Sequence, residues 1–226
     1  MRINGTWRAD ELWGTDGVDQ FYGRNGDDTI TAGVGDFALG GRGNDQISTD
    51  GWLDADDLFH SATNVTLVGG AGDDTITGFG TLRGDEQAGL PERTFGNDRL
   101  TSTMSFDTDL GTQYGGKGHD TFAIGMHADG KWSEVDVLDF HPGEDKVSIA
   151  LGYTDGRVEA GQLNQSQIWG VLDTNANGVL GDDVPLDGNS AVWSDVANNR
   201  LVIRLHEDYV VLQGVTHLNA ADWEFV

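Results

Sequence analysis

The sequence predicts an all-β protein, a parallel β-roll followed by a C-terminal β-rich cap. Three observations carry that prediction. The stretch Gly69-Gly-Ala-Gly-Asp-Asp-Thr-Ile-Thr77 fits G-G-x-G-x-D-x-U-x, with U a large apolar residue, which is a β-solenoid signature. The same nonapeptide recurs, complete or worn, from residue 5 to residue 123. The sixth-position aspartates also recur at spacings near one full turn of a roll built from two nonapeptides.

Each unit supplies half a turn, one loop and one short strand. Glycines let the loop turn through φ > 0 at low steric cost. The sixth position offers a hard oxygen, and the eighth points inward from the strand. Gly5–Trp13, Gly14–Tyr22 and Gly23–Thr31 run in strict nine-residue register, with Asp10, Asp19 and Asp28 sixth and Leu12, Phe21 and Ile30 eighth. The next unit, Ala32–Leu39, is one residue short and lacks Asp at position six. Gly40–Ser48 restores the pattern with Asp45 and Ile47; Gly69–Thr77 follows, then a partial unit at Arg93–Thr101 and a last one at Gly115–Ala123. Repeats two apart stack on one edge. Asp10 to Asp28 is 18 residues, and the next steps are 17, 29, 24 and 22, so Asp10, Asp28, Asp45, Asp74, Asp98 and Asp120 form one ladder. The opposite edge keeps Asp19 and Asp36, then gives way to insertions near 49–64, 78–94 and 102–112.

After residue 125 the repeat stops. Val135–Phe140 and Lys146–Ala150 read as strands around a His141-Pro-Gly-Glu144 turn. A short helix is expected around Gln162–Val171. Ala191–Val196, Arg200–Leu205 and Tyr209–Gln213 read as strands, and Leu218–Asp222 as a helical turn. The domain expectation is a roll over 1–125 and a cap over 126–226.

Composition narrows function. The 226 residues carry a formal net charge of −25, and 30 of the 38 acidic residues are Asp, which suits loops and cation ligation. With 13 Lys and Arg, nucleic acid and anionic membranes are poor partners. There is no Cys, hence no disulfide or thiol chemistry. No apolar leader region and no 18-residue apolar run is present, which argues against a Sec signal and a transmembrane segment. A chain this acidic and glycine-rich resists compaction unless cations neutralise it.

These nonapeptides resemble the calcium-binding repeats of the RTX (repeats-in-toxin, hemolysin-type) family. Val137-Leu-Asp-Phe-His-Pro-Gly-Glu-Asp-Lys-Val-Ser-Ile149 is similar to the strand pair that follows the roll in serralysin-type domains, and residues 201–225 look like the close of such proteins. The resemblance implies several Ca²⁺ ions, each between loops one turn apart. One loop gives carbonyls from positions two and four, the next from positions one and three, and both give the Asp at six. Carried over, Arg24, Gly26 and Asp28 face Gly40, Arg42 and Asp45. Gly41, Gly43 and Asp45 face Gly69, Ala71 and Asp74. Gly70, Gly72 and Asp74 face Arg93, Phe95 and Asp98, and Thr94, Gly96 and Asp98 face Gly115, Lys117 and Asp120. The lowest pair joins Asp10 to Gly23, Asn25 and Asp28, with Thr6 and Arg8 replacing glycines; Asp19 is the metal candidate of the other edge. An all-oxygen cage of this kind suits Ca²⁺ better than Mg²⁺. The resemblance also implies a bacterial extracellular protein exported by a type I secretion apparatus.

A second calcium motif is Asp173-Thr-Asn-Ala-Asn-Gly-Val-Leu-Gly-Asp-Asp-Val184, which resembles an EF-hand-type loop. Asp173, Asn175, Asn177, the Val179 carbonyl and Asp182 are its candidate ligands; position twelve is Val184 rather than Glu. His206-Glu207 fails H-E-x-x-H because residue 210 is Val, and no G-x-S-x-G occurs, so no catalytic residue is nominated. Trp52, Phe59, Phe79 and Phe106 lie in the inserted loops, either as a binding surface or as local caps. The expectation is a non-catalytic, secreted calcium-binding protein that folds on binding Ca²⁺. The alternatives are a calcium-dependent adhesion or polysaccharide-binding module, and the non-catalytic module of a secreted hydrolase or epimerase.

Overall fold

The computed structural model describes residues 1–49, 52–53, 59–60, 64–85, 95–103, 110–127, 133–152, 165–173, 175–181, 190–205 and 208–224. From the N-terminus, β1 (Arg2–Asn4), β2 (Glu11–Trp13), β3 (Gln20–Asn25), β4 (Thr29–Ala32), β5 (Phe37–Arg42) and β6 (Gln46–Thr49) alternate between two sheets. A two-stranded antiparallel pair follows, β7 (Trp52–Leu53) and β8 (Phe59–His60). Alternation then resumes with β9 (Thr66–Ala71), β10 (Thr75–Gly78), β11 (Thr81–Asp85), β12 (Arg99–Thr103), β13 (Leu110–Tyr114), β14 (Thr121–His127), β15 (Glu134–Val137) and β16 (Lys146–Gly152). Every neighbouring pair among β1–β6 and β9–β16 within these two sheets is parallel, so the chain winds as a parallel β-roll.

Register explains why the eighth position must be large and apolar. Leu12, Ile30, Ile47, Ile76, Leu100, Phe122 and Val147 stand in one column across the second sheet, all buried. Phe21, Ala38, Leu67 and Leu82 stand in the corresponding column of the first sheet and are fully buried. Each large member contributes about 1.5–3 kcal/mol by leaving water. Gln113 continues that column between Leu82 and Val137; its amide donates to Ser102 Oγ at 2.9 Å.

The strands expected at 135–140 and 146–150 form, yet as β15 and β16 they are one more rung of the roll rather than part of the cap. The cap comprises α1 (Gln165–Leu172), β17 (Val179–Leu180), β18 (Ser190–Asp195), β19 (Arg200–Leu205), β20 (Asp208–Gln213) and β21 (Leu218–Asn219). Strand β20 joins β15 in parallel, and β19 and β18 then extend the same sheet antiparallel. Ile168 and Leu172 of α1 are buried, and Trp169 meets Trp223 edge-on at 5.4 Å. The last described residues cover the outer edge of β16: Glu224 N–H donates to the Val147 carbonyl, and Arg99 pairs with Glu224 at 3.1 Å. A covered edge cannot template strand addition. Phe79 is buried in the hydrophobic core at 2% exposure, which assigns it to packing and removes it from any binding surface. Phe106 and the side chains of Trp52 and Phe59 lie outside the described residues.

Candidate metal centre

The sixth-position aspartates stack as the spacing requires. Each backbone N–H donates to Oδ1 of the aspartate one turn on: Asp10 to Asp28 at 2.8 Å, Asp28 to Asp45 at 2.7 Å, Asp45 to Asp74 at 2.7 Å, Asp74 to Asp98 at 2.8 Å and Asp98 to Asp120 at 2.8 Å. One oxygen of each carboxylate is thereby spent on the backbone of its neighbour. The other oxygen, Oδ2 of Asp28, Asp45, Asp74, Asp98 and Asp120, is buried without a hydrogen-bond partner. A buried, unpaired carboxylate oxygen is costly, and five in a row call for a counter-charge.

Backbone geometry around these oxygens explains the glycines. A Cβ at position one, as on Gly69, would collide with Oδ2 of the same loop's Asp74. A Cβ at position four, as on Gly72, would collide with the Gly43 carbonyl of the loop below, and φ there is +126°. Arg24, at position two, tolerates φ +84° as one of few non-glycine residues to do so. Carbonyl oxygens and carboxylates therefore crowd one edge. Among the described residues no three or more His, Cys, Asp or Glu side chains gather into a metal cluster. A cation held here must draw on backbone carbonyls, which is the donor set of a hard, oxygen-seeking ion.

Burial sets the electrostatics. It pushes Asp45 up to about 6, Asp120 to about 7, Asp74 to about 8 and Asp98 to about 9, with neighbouring ladder carboxylates adding to the rise and backbone N–H donors opposing it. Asp28 rises for the same reason.

The ends of the ladder differ from its middle. Oδ2 of Asp10 accepts from the Thr6 N–H at 2.6 Å and hydroxyl at 2.8 Å, so that carboxylate is satisfied by protein. At the top the row continues one step beyond the expected last member: Asp120 N–H donates to Asp145 Oδ1 at 3.0 Å, and Asp145 Oδ2 accepts from the His141 N–H at 2.8 Å. The spacing signal was available, since Asp145 lies 25 residues past Asp120 and directly before the β16 strand. On the opposite edge Asp19 N–H donates to Asp36 Oδ1 at 2.7 Å, but Thr15 and Gly33 donors occupy the two Oδ2 atoms. Further along that edge, the register that pairs Phe37, Thr66 and Thr81 puts Val65 and Gly80 where aspartates would stand.

One repeat is assembled differently from the sequence expectation. Arg93 and Thr94 were expected at positions one and two, contiguous with Phe95, Gly96 and Asp98. In the first sheet Asp85 pairs with Gly70, so Asp85 takes position two and Gly84 position one. A Cβ on Gly84 would collide with Asp98 Oδ2, as on its counterparts. The insertion thus interrupts the nonapeptide internally instead of preceding it; Arg93 and Thr94 lie outside the described residues. Gly96 keeps position four, where its Cβ would strike the Gly72 carbonyl. Lys117 sits over the Phe95 ring at 5.0 Å.

A second row went unread. Position-five residues Asp27, Asn44, Asp73, Asn97 and His119 form an exposed ladder, in which the N–H of each of the last four donates to the side chain one turn below at 2.7–3.1 Å. Its signal was the Asx residue before nearly every ladder aspartate. In the 173–184 loop, Asp173 accepts from the N–H groups of Asn177 at 3.1 Å and Gly178 at 2.9 Å and from Trp169 Nε1 at 3.2 Å. Asn175 and Asn177 accept from backbone N–H groups two residues on. Asp173, Asn175 and Asn177 are brought into one turn after α1, with Gly178 at φ +81°; Asp182 lies outside the described residues.

A parallel roll with a buried edge of stacked, half-unpaired carboxylates and inward carbonyls defines a metal-binding β-roll. The family model for the RTX calcium-binding nonapeptide repeat matches this chain in four copies, over residues 4–36 and 61–80. The chain carries RTX calcium-binding repeats, and their cofactor is Ca²⁺, bound at multiple sites. No catalytic family matches, and repeats of this kind are generally a non-catalytic calcium-binding domain. No curated protein matches the chain. Among solved structures, an extracellular lipase LipA from Serratia marcescens aligns at 17% identity and TM-score 0.28, over 100% of this chain and 40% of the lipase. The AlgE6R3 subunit of the Azotobacter vinelandii mannuronan C5-epimerase aligns at 18% identity and TM-score 0.27, over 98% of this chain and 81% of that one.

Proposed function

We propose that this is a secreted, non-catalytic module whose roll folds as its ladder fills with Ca²⁺ outside the cell. The observation that supports this most is the set of five buried, unpartnered Oδ2 atoms at Asp28, Asp45, Asp74, Asp98 and Asp120. Each ion lies between consecutive ladder loops. Arg24, Gly26 and Asp28 face Gly40, Arg42 and Asp45 in the first cage; Gly41, Gly43 and Asp45 face Gly69, Ala71 and Asp74 in the second. Gly84 replaces Arg93 at position one above Gly70, Gly72 and Asp74, and Gly96 and Asp98 meet Gly115, Lys117 and Asp120. Asp10 and Asp19, satisfied by threonine donors, take no ion of their own. The loop from Asp173, with Asn175, Asn177, Val179 and Asp182, forms an accessory site.

The mechanism is ion-coupled folding. Without cations the unfolded chain avoids burying these oxygens; with them, ion binding free energy becomes folding free energy. Extracellular calcium modules work at dissociation constants of about 0.1–1 mM, far above cytosolic calcium. A chain of this kind stays expanded for export by a type I secretion apparatus and compacts outside. The family's typical secretion supports that route.

Calorimetric calcium titration at several temperatures tests the reading. Several ions bind per chain, and uptake carries the negative heat-capacity change of folding. Calcium uptake without that heat-capacity change would contradict ion-coupled folding.

A further inference from the structure

The foot of the roll gathers a positive charge that the rest of the chain lacks. The sequence holds 13 Lys and Arg against 38 Asp and Glu. Arg2, Arg8, Arg24 and Arg42 all lie in the first rungs, and all are exposed. The Arg2 guanidinium stands 4.3 Å over the Tyr22 ring. Asn4 is the register partner of Tyr22, and Arg24 Nη2 donates to Asn4 Oδ1 at 3.4 Å. A Cβ on Gly5 would meet the Gly23 carbonyl, and one on Gly26 the Arg8 backbone, so Trp7 lies one turn below Asn25. Arg42 is the register partner of Asn25 in β5. Adjoining positions thus carry the arginines and the Trp7 indole, which is 83% exposed.

Two observations point to a ligand. Among the described residues none of these arginines pairs with a carboxylate, whereas Arg99 and Arg200 pair with Glu224 and Asp195. Arg24 also holds φ +84° at a position where Gly41 and Gly70 stand in the following loops. A strained non-glycine residue persists where something else requires its side chain.

We propose that this foot binds an acidic polysaccharide, a chain of uronic-acid sugars whose carboxylates pair with the arginines and whose apolar ring faces rest on Trp7. A guanidinium offers a planar fork that matches a carboxylate, and one held over a ring has less freedom to lose. Arg, Trp and Tyr are the side chains that carry most binding energy at interfaces. Neighbouring strands stand about 4.8 Å apart, close to the length of one sugar in an extended chain. Double-stranded DNA, with a charge about every 1.7 Å, meets strong repulsion from so acidic a protein. A glycan with one carboxylate per sugar meets far less. Strand register builds the face, so it stands whether or not calcium fills the ladder.

Fluorescence anisotropy of labelled hexagalacturonate, too short to gel, tests the site on the whole chain at saturating calcium. Wild type binds saturably, and added salt weakens binding by screening. Arg2→Ala and Arg8→Ala each weaken it about tenfold, the worth of one hydrogen bond to a charged group. Arg24→Gly weakens it similarly yet raises the urea midpoint, because glycine relieves the backbone and keeps the carbonyl. Arg99→Ala, on the other sheet, removes the same charge and leaves affinity within about twofold. Equal affinity in wild type and the three foot variants, or equal binding of labelled maltohexaose, would overturn the site. So would tighter, arginine-dependent binding to double-stranded DNA or to phosphatidylglycerol vesicles. A dimer that Arg2→Ala dissolves, with no oligosaccharide bound, would overturn it too and give the face to a second copy.

Discussion

The two edges of the roll begin from the same nonapeptide and end with different chemistry. On both, a sixth-position aspartate accepts a backbone N–H from its neighbour one turn away. On the ladder edge the second oxygen is left over at five successive loops. On the other edge Thr15 and Gly33 satisfy it within the loop, and the aspartates then disappear in favour of Val65 and Gly80. Identical motif positions are therefore not equivalent. Within the roll, what separates a cation ligand from a turn-forming aspartate is whether a local donor reaches Oδ2, and that depends on residues three or four positions upstream.

The largest expected contrast between the edges is their response to pH. Asp45, Asp120, Asp74 and Asp98 are raised to about 6, 7, 8 and 9 in the ion-free fold. A carboxyl raised on folding stabilises the fold below its unfolded pKa and loses that contribution as pH climbs through the folded value. The calcium-free chain, expanded near pH 8, therefore gains β structure as pH falls from about 9 towards 4 and the buried carboxyls protonate. Saturating calcium reverses that order, since ions displace the protons. Far-UV circular dichroism across that pH range, with chelator and with calcium, checks both signs.

Single substitutions come next. Asp74→Asn loses at least one ion, which costs about 2.7 kcal/mol at a hundredfold excess of calcium over Kd. In chelator the same change stabilises, because it removes a buried charge. Gly72→Ala meets the Gly43 carbonyl at φ +126° and costs about 2 kcal/mol in calcium. Asp36→Asn, on the satisfied edge, costs about 1 kcal/mol in calcium and leaves the number of bound ions unchanged. Smallest is Gly170→Ala in α1, where a Cβ meets nothing within 4 Å; it gains about 0.5–1 kcal/mol in urea unfolding. Equal calcium dependence for Asp74→Asn and Asp36→Asn would erase the distinction between edges.

Much of this was legible in residue spacing. Intervals of 17 to 29 residues between Asp10 and Asp120 translate directly into one stacked row, because insertions lengthen a turn without shifting the strand that follows. The apolar eighth positions were legible for the same reason. Gly84 and Asp85 are hidden from a contiguous nonapeptide pattern, because strand pairing tolerates an insertion after position two. Asp145 is harder to read because Gly143, at position four, is the one glycine left in its loop, and the His141 N–H closes that loop onto Oδ2. Val135–Phe140 and Lys146–Ala150 read as strands, but alternation alone says nothing of whether they extend the roll or cap it; only pairing with β13 and β14 does.

The most direct measurement is far-UV circular dichroism of the calcium-free chain during a calcium titration, with magnesium as control. The account predicts a cooperative gain of β signal at about 0.1–1 mM calcium and none with magnesium. A β spectrum already complete in chelator and unchanged by calcium would contradict it.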